Sequence, residues 1–354
     1  MTNPSFLFLC RRICYSCLIK ILATTLFGSM KKAHLQISQF VVNMKLRRSD
    51  RLASLRYGNM ENKKGIIIKS FNGFYYVESD KTIYVCRARG VFRKKGITPL
   101  AGDKVLITIR DNSEHTIDEI LPRKNCFLRP PVANIDKLII MASVADPFPN
   151  LYNIDLLTVL AINSGVQPVV VFSKSDLGDS EAYTKIYKKA RIPCCSISCT
   201  FNTGIDFLLE EIKNSFSVLT GNTGVGKSSF INAVFPDAKA PVGEISKKLG
   251  RGRHTTRECV LYPLADGYLA DTAGFSSLDL CSSKISLSCN DLDMLFPEFS
   301  PFLGKCKYST CSHISEDGCA IISAIDSDVI NSSRHKSYCR MYAEIKANHF
   351  QNRN

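Results

Sequence analysis

No apolar run in the first 59 residues reaches the ~20 residues that a bilayer-spanning helix needs. Arg11, Arg12 and Lys20 interrupt SFLFLC and ICYSCLIKILATTLFG, so no membrane partner is expected. Acidic residues are scarce in the same stretch. Residues 1–59 hold ten Lys and Arg against one acid, Asp50, and so carry +9 of the formal +14. The rest of the chain carries +5, so the overall basicity says little about the folded core. Any case for nucleic-acid binding must rest on local patches. A regular, even set of cysteines is missing as well. Fifteen scattered over 354 residues do not form a secreted disulfide framework. Residues 1–59 are basic enough for a transit peptide. The expectation here is that Met60 is the true start and that the preceding stretch is a mis-called, poorly ordered extension.

What the chain does contain is ordinary for a globular protein: 45% apolar and 22% charged residues. Its most informative stretch is GNTGVGKS. Gly221, Asn222, Thr223, Gly224, Val225, Gly226, Lys227 and Ser228 fit GxxxxGK[ST], with Ser229 following. The apolar run FSVLT precedes it and SSFINAVF, with a helical pattern, follows it. Strand, glycine loop and helix form a cradle of inward N–H groups at a helix N-terminus, which suits a phosphate. Lys227 is expected to reach the β and γ phosphates and Ser228 to ligate Mg²⁺.

Residues 60–124 read as five short strands: GIIIKS, GFYYVES, TIYVCRAR, DKVLITIR and HTIDEILP. They suggest an OB-like β-barrel that binds RNA. The segment RARGVFRKKG sets Arg87, Arg89, Arg93, Lys94 and Lys95 around Phe92, a loop that would grip RNA backbone and stack on a base. Its plainer reading is a solvated loop. Residues 125–285 alternate strand and helix, which predicts a mostly parallel α/β sheet with ligands at strand C-terminal ends. LYNIDLLTVLAINSG reads as a helix with Asn150 as N-cap and Gly165 as stop. Residues 286–354 form a mixed segment, helical from about Ala320.

Other short motifs fall at predicted strand ends. DTAG, Asp271 to Gly274, has the form DxxG: Asp271 would hold Mg²⁺ and the Gly274 N–H would meet the γ-phosphate. GRGRHTT reads as a switch loop, with Thr256, or Thr255 beside it, completing the Mg²⁺ ligands. SKSD resembles NKxD. Asp176 would accept hydrogen bonds from guanine N1 and N2, Lys174 would lie along the purine, and a backbone amide at Ser198 would meet O6. The ligand is therefore expected to be GTP or GDP. The order of the motifs is unusual, because the base motif precedes the phosphate loop and the Mg²⁺ motifs follow it. Cys306, Cys311, His313 and Cys319 have the spacing C-x4-C-x-H-x5-C, which suits one closed, structural Zn²⁺ site. RHKSYCR, from Arg334, would either face rRNA or pack on the metal segment.

From about Met60 onward the chain resembles the circularly permuted, ribosome-small-subunit-dependent GTPases known as RsgA (YjeQ/YloQ type). The permuted motif order, GITPLAGD, GRGRHTT and the Cys/His cluster carry the likeness. The resemblance implies a multidomain α/β protein: an N-terminal OB-like barrel, a circularly permuted P-loop GTPase domain, and a C-terminal zinc-binding, mostly helical domain. It implies a cytoplasmic, monomeric GTP hydrolase stimulated by the 30S subunit, acting in its late maturation and contacting 16S rRNA. Two other readings stand beside it: an RNA-binding zinc protein with nucleotide as a structural ligand, and a permuted GTPase for the large subunit. Two residues depart from the family pattern. Ser173 stands where the family usually has Asn, so bracing of the phosphate loop and contact with purine N7 are expected to weaken. Ala273 stands in place of Pro. Phe275 follows DxxG where Ras-like enzymes carry a water-orienting Gln. Lys227, Thr256 and His254 are the catalytic candidates, His254 either to position water or only to dock the switch loop or contact RNA.

Overall fold

The structure, a computed structural model, describes residues 60–110, 114–128, 131–236, 259–264, 267–272 and 287–351. The barrel expected from alternating β-branched and aromatic residues is closed. Strands β1 (Met60–Phe71), β2 (Phe74–Ser79), β3 (Thr82–Ala88), β4 (Lys104–Arg110) and β5 (His115–Ile120) pair in the order β1-β2-β3-β5-β4. Ile67, Val77, Cys86, Val105, Ile107 and Ile117 fill its interior. The basic segment after β3 departs from its sequence reading. It forms a short helix, α1 (Gly90–Lys94), whose Phe92 is only 7% exposed and belongs to the barrel core. Phe92 therefore does not stack on a base. Arg87 and Arg89 are already paired with Glu114 and Asp118, at 3.0 and 2.8 Å.

The GITPLAGD segment builds the corner that leaves the barrel. Asp103, fully buried, accepts from the Leu100 amide and from Arg123 Nε and Nη2, all at 2.7–2.8 Å. Gly102 has φ +85°, and a Cβ there would sit 2.2 Å from the Ala133 carbonyl oxygen, so the join admits only glycine. Ala133 lies in a small hairpin of β6 (Cys126–Leu128) and β7 (Pro131–Ala133), which short apolar runs did not announce.

The next strands form one six-stranded sheet, ordered β10-β9-β8-β11-β13-β12. Here β8 is Lys137–Ser143, β9 Gln167–Ser173, β10 Cys194–Ser196, β11 Phe216–Thr220, β12 Cys259–Leu264 and β13 Gly267–Thr272. All neighbours are parallel except the edge pair β12 and β13. Both faces are covered, which explains the unbroken apolar runs. Ile140, Ala142, Val170, Phe172 and Val218 pack on one side with Ile154 and Ala161 of helix α2 (Leu151–Asn163) and Tyr187 of α3 (Glu181–Lys189). Ile139, Met141, Val171 and Leu219 pack on the other with Leu208 of α4 (Ile205–Glu211) and Phe230 of α5 (Lys227–Val234). Asn150 caps α2 as its sequence suggested, accepting from the Asn153 amide at 3.2 Å.

Residues 287–351 include α6 (Ala320–Asp326) and α7 (Ser332–Gln351), packed through Phe296, Phe299, Tyr338 and Met341 onto Leu156, Val159 and Leu160 of α2. Of the two readings of RHKSYCR, packing on the metal segment holds and the rRNA-facing one does not. Arg334 is 0% exposed and Tyr338 is core, so neither faces RNA. The Arg334 guanidinium donates to Asp155 Oδ1 (2.7 Å) and Thr158 Oγ1 (3.2 Å) of α2. It also grips Glu298 through Nε (2.7 Å) and Nη2 (3.3 Å), while Tyr187 Oη donates to Asp155 at 2.9 Å. Burial alone would lower the arginine pKa, but the two carboxylates overcome it and hold the group well above its usual range. No helix among the described residues is long and apolar enough to cross a membrane.

Replacing one member of a buried ion cluster strands the others. Arg334→Met is expected to cost about 3–5 kcal/mol, read as a fall in the urea midpoint. A loss under about 1 kcal/mol would mean that Asp155 and Glu298 reach water without the arginine.

Candidate functional site

The site lies at the C-terminal edge of β8, β9 and β11, where β8 and β9 end level and β11 ends three residues earlier. The parallel registers align Ser143 with Ser173, and Ile140 with Thr220. Each strand therefore delivers its following loop to one edge of the sheet. The loop after β11 runs Gly221 to Ser228 and enters α5 at Lys227. Gly221 has φ +144°, and a Cβ would lie 2.2 Å from the Met141 carbonyl oxygen. Val225 is buried and packs against the sheet, fixing the loop from below, while Thr223 and Gly224 stay exposed. Ser228 and Ser229 sit half-buried in the first turn of α5. The Lys227 ammonium donates to the carbonyls of Gly221 and Asn222, both at 2.7 Å. Burial lowers its pKa and the Asp271 carboxylate partly restores it. Asp271, on β13, pairs in register with Leu219 of β11, two residues before the loop begins.

The loop after β9 carries SKSD. Ser173, 2% exposed, places its Oγ 3.1 Å from the Ala142 carbonyl and 2.5 Å from the Val225 carbonyl of the phosphate loop. The expected loss of bracing at this position is thus corrected: the serine hydroxyl reaches the loop directly. Lys174, at φ +58°, donates to the Asp146 carbonyl. The Ser175 amide donates to Ile197, tying this turn to the segment after β10. Asp176 is exposed beside that segment: burial first, then the Asp176 carboxylate, raises the Cys199 thiol.

Ser198, where the sequence places a backbone amide near guanine O6, lies in a turn after β10. Its amide donates to the Thr203 carbonyl at 3.0 Å, and its Oγ accepts from the Phe201 amide at 3.2 Å. Ser198 shapes a turn, and its N–H is not offered to a base. His254, Thr255, Thr256 and Gly274 lie outside the described residues, as do Ala273 and Phe275.

A second cluster forms around Cys306, Cys311, His313 and Cys319, whose four donor atoms all lie within 4.8 Å of one another. His313 Nδ1 stands 3.5 Å from both the Cys306 and Cys319 sulfurs, and those sulfurs are 3.9 Å apart. The set can hold a metal ion. His313 Nε2 points the other way, 3.5 Å from Asp293 Oδ2. Asp293, which opens a short 3-10 helix (Asp293–Leu295), is a neighbour of the cluster that spacing could not reveal, since it lies twenty positions upstream of His313. Glu316 organises the loop: its carboxylate accepts from the Ser312 amide and hydroxyl and from the Ile314 and Ser315 amides. Burial opposes its charge, but these donors bring its pKa down to about 2. His335 Nε2 lies 2.7 Å from the His313 carbonyl, and Tyr338 Oη donates to the Ser312 carbonyl at 2.9 Å, stitching the loop to α7.

The RsgA N-terminal domain matches residues 64–117 and the RsgA GTPase domain residues 120–281. The small ribosomal subunit biogenesis GTPase RsgA of Carboxydothermus hydrogenoformans is 40% identical over 286 residues, spanning 80% of this chain and 97% of the relative. Among solved structures, YloQ, described as a circularly permuted GTPase, superposes with TM-score 0.67 at 29% identity, covering 82% of this chain and 97% of that one. YjeQ from Thermotoga maritima gives TM-score 0.64 at 28% identity, over 80% and 99%.

Gly221→Ala is expected to lower stability by more than about 1 kcal/mol, since it adds an atom against Met141 at a φ that disfavours side chains. Denaturant titration reads this, and an unchanged midpoint would show that the loop can move away from β8.

Proposed function

Since the chain belongs to the RsgA family of GTPases, we propose that it hydrolyses GTP in the late maturation of the small (30S) ribosomal subunit, with the subunit stimulating turnover. The observation that carries this reading is the Ser173–Val225 contact, which seats the base motif against the phosphate loop although 52 residues separate them. A nucleotide at the sheet edge would run from Asp176 to Lys227. Asp176 accepts from guanine N1 and N2, which adenine cannot match, and Lys174 lies along the purine. The loop from Gly221 through Ser229 wraps the phosphates, and Gly274 meets the γ-phosphate. Asp271, Ser228 and Thr256, with Thr255 beside it, would hold Mg²⁺, which would neutralise phosphate charge when bound. Lys227 enters with a lowered pKa and a carboxylate nearby, so the triphosphate and Asp271 together keep it charged. Phe275 cannot orient water, and His254 takes that part.

The Cys/His cluster fits zinc. Four donors at about 2.3 Å for sulfur and 2.0–2.1 Å for nitrogen around a tetrahedral Zn²⁺ stand roughly 3.5–3.8 Å apart. The separations of 3.5, 3.5 and 3.9 Å agree with that. With no position left for substrate, the ion's part is to hold residues 306–319 together. Asp293 would orient His313 through its far nitrogen. Arg93, Lys94 and Lys95, exposed on and after α1, are the rRNA-facing cations of the barrel. The family matches at 64–117 and 120–281 support the domains 60–124 and 125–285, and the Cys/His cluster with its own apolar core supports a third at 286–354; the cytoplasm is the proposed place of action.

Phosphate release from GTP and from ATP, with and without purified small subunits, tests the main reading. GTP-specific turnover that rises with subunits is expected; nucleotide binding without any turnover would leave only an RNA-binding zinc protein. His254→Ala is expected to keep GTP binding and lose the stimulated rate. Asp293→Ala is expected to weaken zinc binding about 10–100-fold in competition with a coloured chelator. Undiminished affinity would remove Asp293 from the metal site.

A further inference from the structure

We propose that Ser173 serves this GTPase as a brace of the phosphate loop that leaves the N7 edge of the purine unread, so that guanine is recognised through its Watson–Crick edge at Asp176. The inference rests on the GTP reading above and specifies how the base is chosen. A hydroxyl has one proton to donate. Both oxygens near Ser173 Oγ, those of Ala142 and Val225, are backbone carbonyls that can only accept. The proton is therefore spent inside the protein, whichever carbonyl takes it. N7 of guanine is an acceptor and needs a donor. Ser173 has none left, and at 2% exposure it is sunk between β8 and the loop.

Its neighbours do not substitute for it. Lys174 Nζ is engaged with the Asp146 carbonyl, and the Ser175 amide with Ile197. The Ser198 amide is held by Thr203. Of the four SKSD side chains, only that of Asp176 belongs to a fully exposed residue, and its carboxylate is the group assigned to the base here. A carboxylate accepts and cannot donate, so it pairs with guanine N1–H and N2–H and is indifferent to N7.

The geometry also explains why a short side chain is tolerated. An unbraced Val225 carbonyl would be a buried acceptor without a partner, a cost that disfavours the loop conformation. Serine meets that need at the shortest possible reach. The residue is a positioning group for the loop, and its removal should weaken phosphate binding without changing which purine edge is read.

The test is calorimetric titration of the full chain with GDP and with 7-deaza-GDP, in which a C–H replaces N7. The native chain is expected to bind the two within about twofold of each other. Ser173→Ala should weaken both together, by about two- to tenfold, the worth of one hydrogen bond. Ser173→Thr, which keeps the hydroxyl, should restore both. Ser173→Asn, with an amide donor to spare, should bind GDP more tightly than 7-deaza-GDP. Native binding of 7-deaza-GDP at least tenfold weaker than GDP would overturn the inference, as would a Ser173→Ala chain with undiminished affinity. A folded native chain that bound neither nucleotide would overturn the GTP reading itself and this inference with it, and is distinguished by the absence of any heat with GDP.

Discussion

The hydrogen-bonded ladder that β8 shares with β9 on one side and β11 on the other is the constraint from which the rest follows. The two parallel registers set Ser143 level with Ser173 and end β11 three residues earlier, at Thr220 opposite Ile140, all at the same C-terminal edge. Whatever follows each strand is then delivered to one place, regardless of where it lies in the chain. Ser173 of the base motif can precede Val225 of the phosphate loop by 52 positions and still touch it. Chain order is free because the sheet, built from backbone bonds, does not depend on which ends are joined. Side chains then refine the edge. Val225 anchors the loop in the core, Gly221 lets it pass Met141, and Asp271 arrives on β13 beside Leu219.

The C-terminal region is held by a different kind of force. It joins α2 partly through apolar contact, with Leu156, Val159 and Leu160 meeting Phe296, Phe299 and Met341. Apolar contact is permissive about register, since it is non-directional. The Arg334 cluster supplies direction: two carboxylates, a hydroxyl and a guanidinium meet with every arginine contact at 3.3 Å or less. The metal loop continues the same logic, as Glu316 gathers its amides and α7 holds its carbonyls through His335 and Tyr338.

Much of this was legible in the residues, and the failures share a cause. Barrel strands, the buried parallel strands, the Asn150 cap and the Cys/His spacing are local patterns, and local patterns survive in a linear text. Phe92 and Arg334 looked like surface residues because their immediate neighbours are basic. One is core because α1 closes the barrel end; the other is core because its partners sit 36 and 179 positions away. Asp293 was hidden for the same reason, being defined by a partner twenty positions away, whereas the Ser198 amide is held within its own turn by Thr203. The β6–β7 hairpin was missed because three-residue strands carry too little periodicity to register.

The Arg334 cluster also bears on how the molecule comes into being. A chain leaves the ribosome from its N-terminus, and Asp155 emerges 179 residues ahead of the cation that neutralises it. Until then a carboxylate at the centre of α2 must keep water, and that face of the helix cannot close. The face of α2 that carries Leu156, Val159 and Leu160 is therefore covered only when the last helix has been made, whereas Ile154 and Ala161 on its other face can meet the sheet before then.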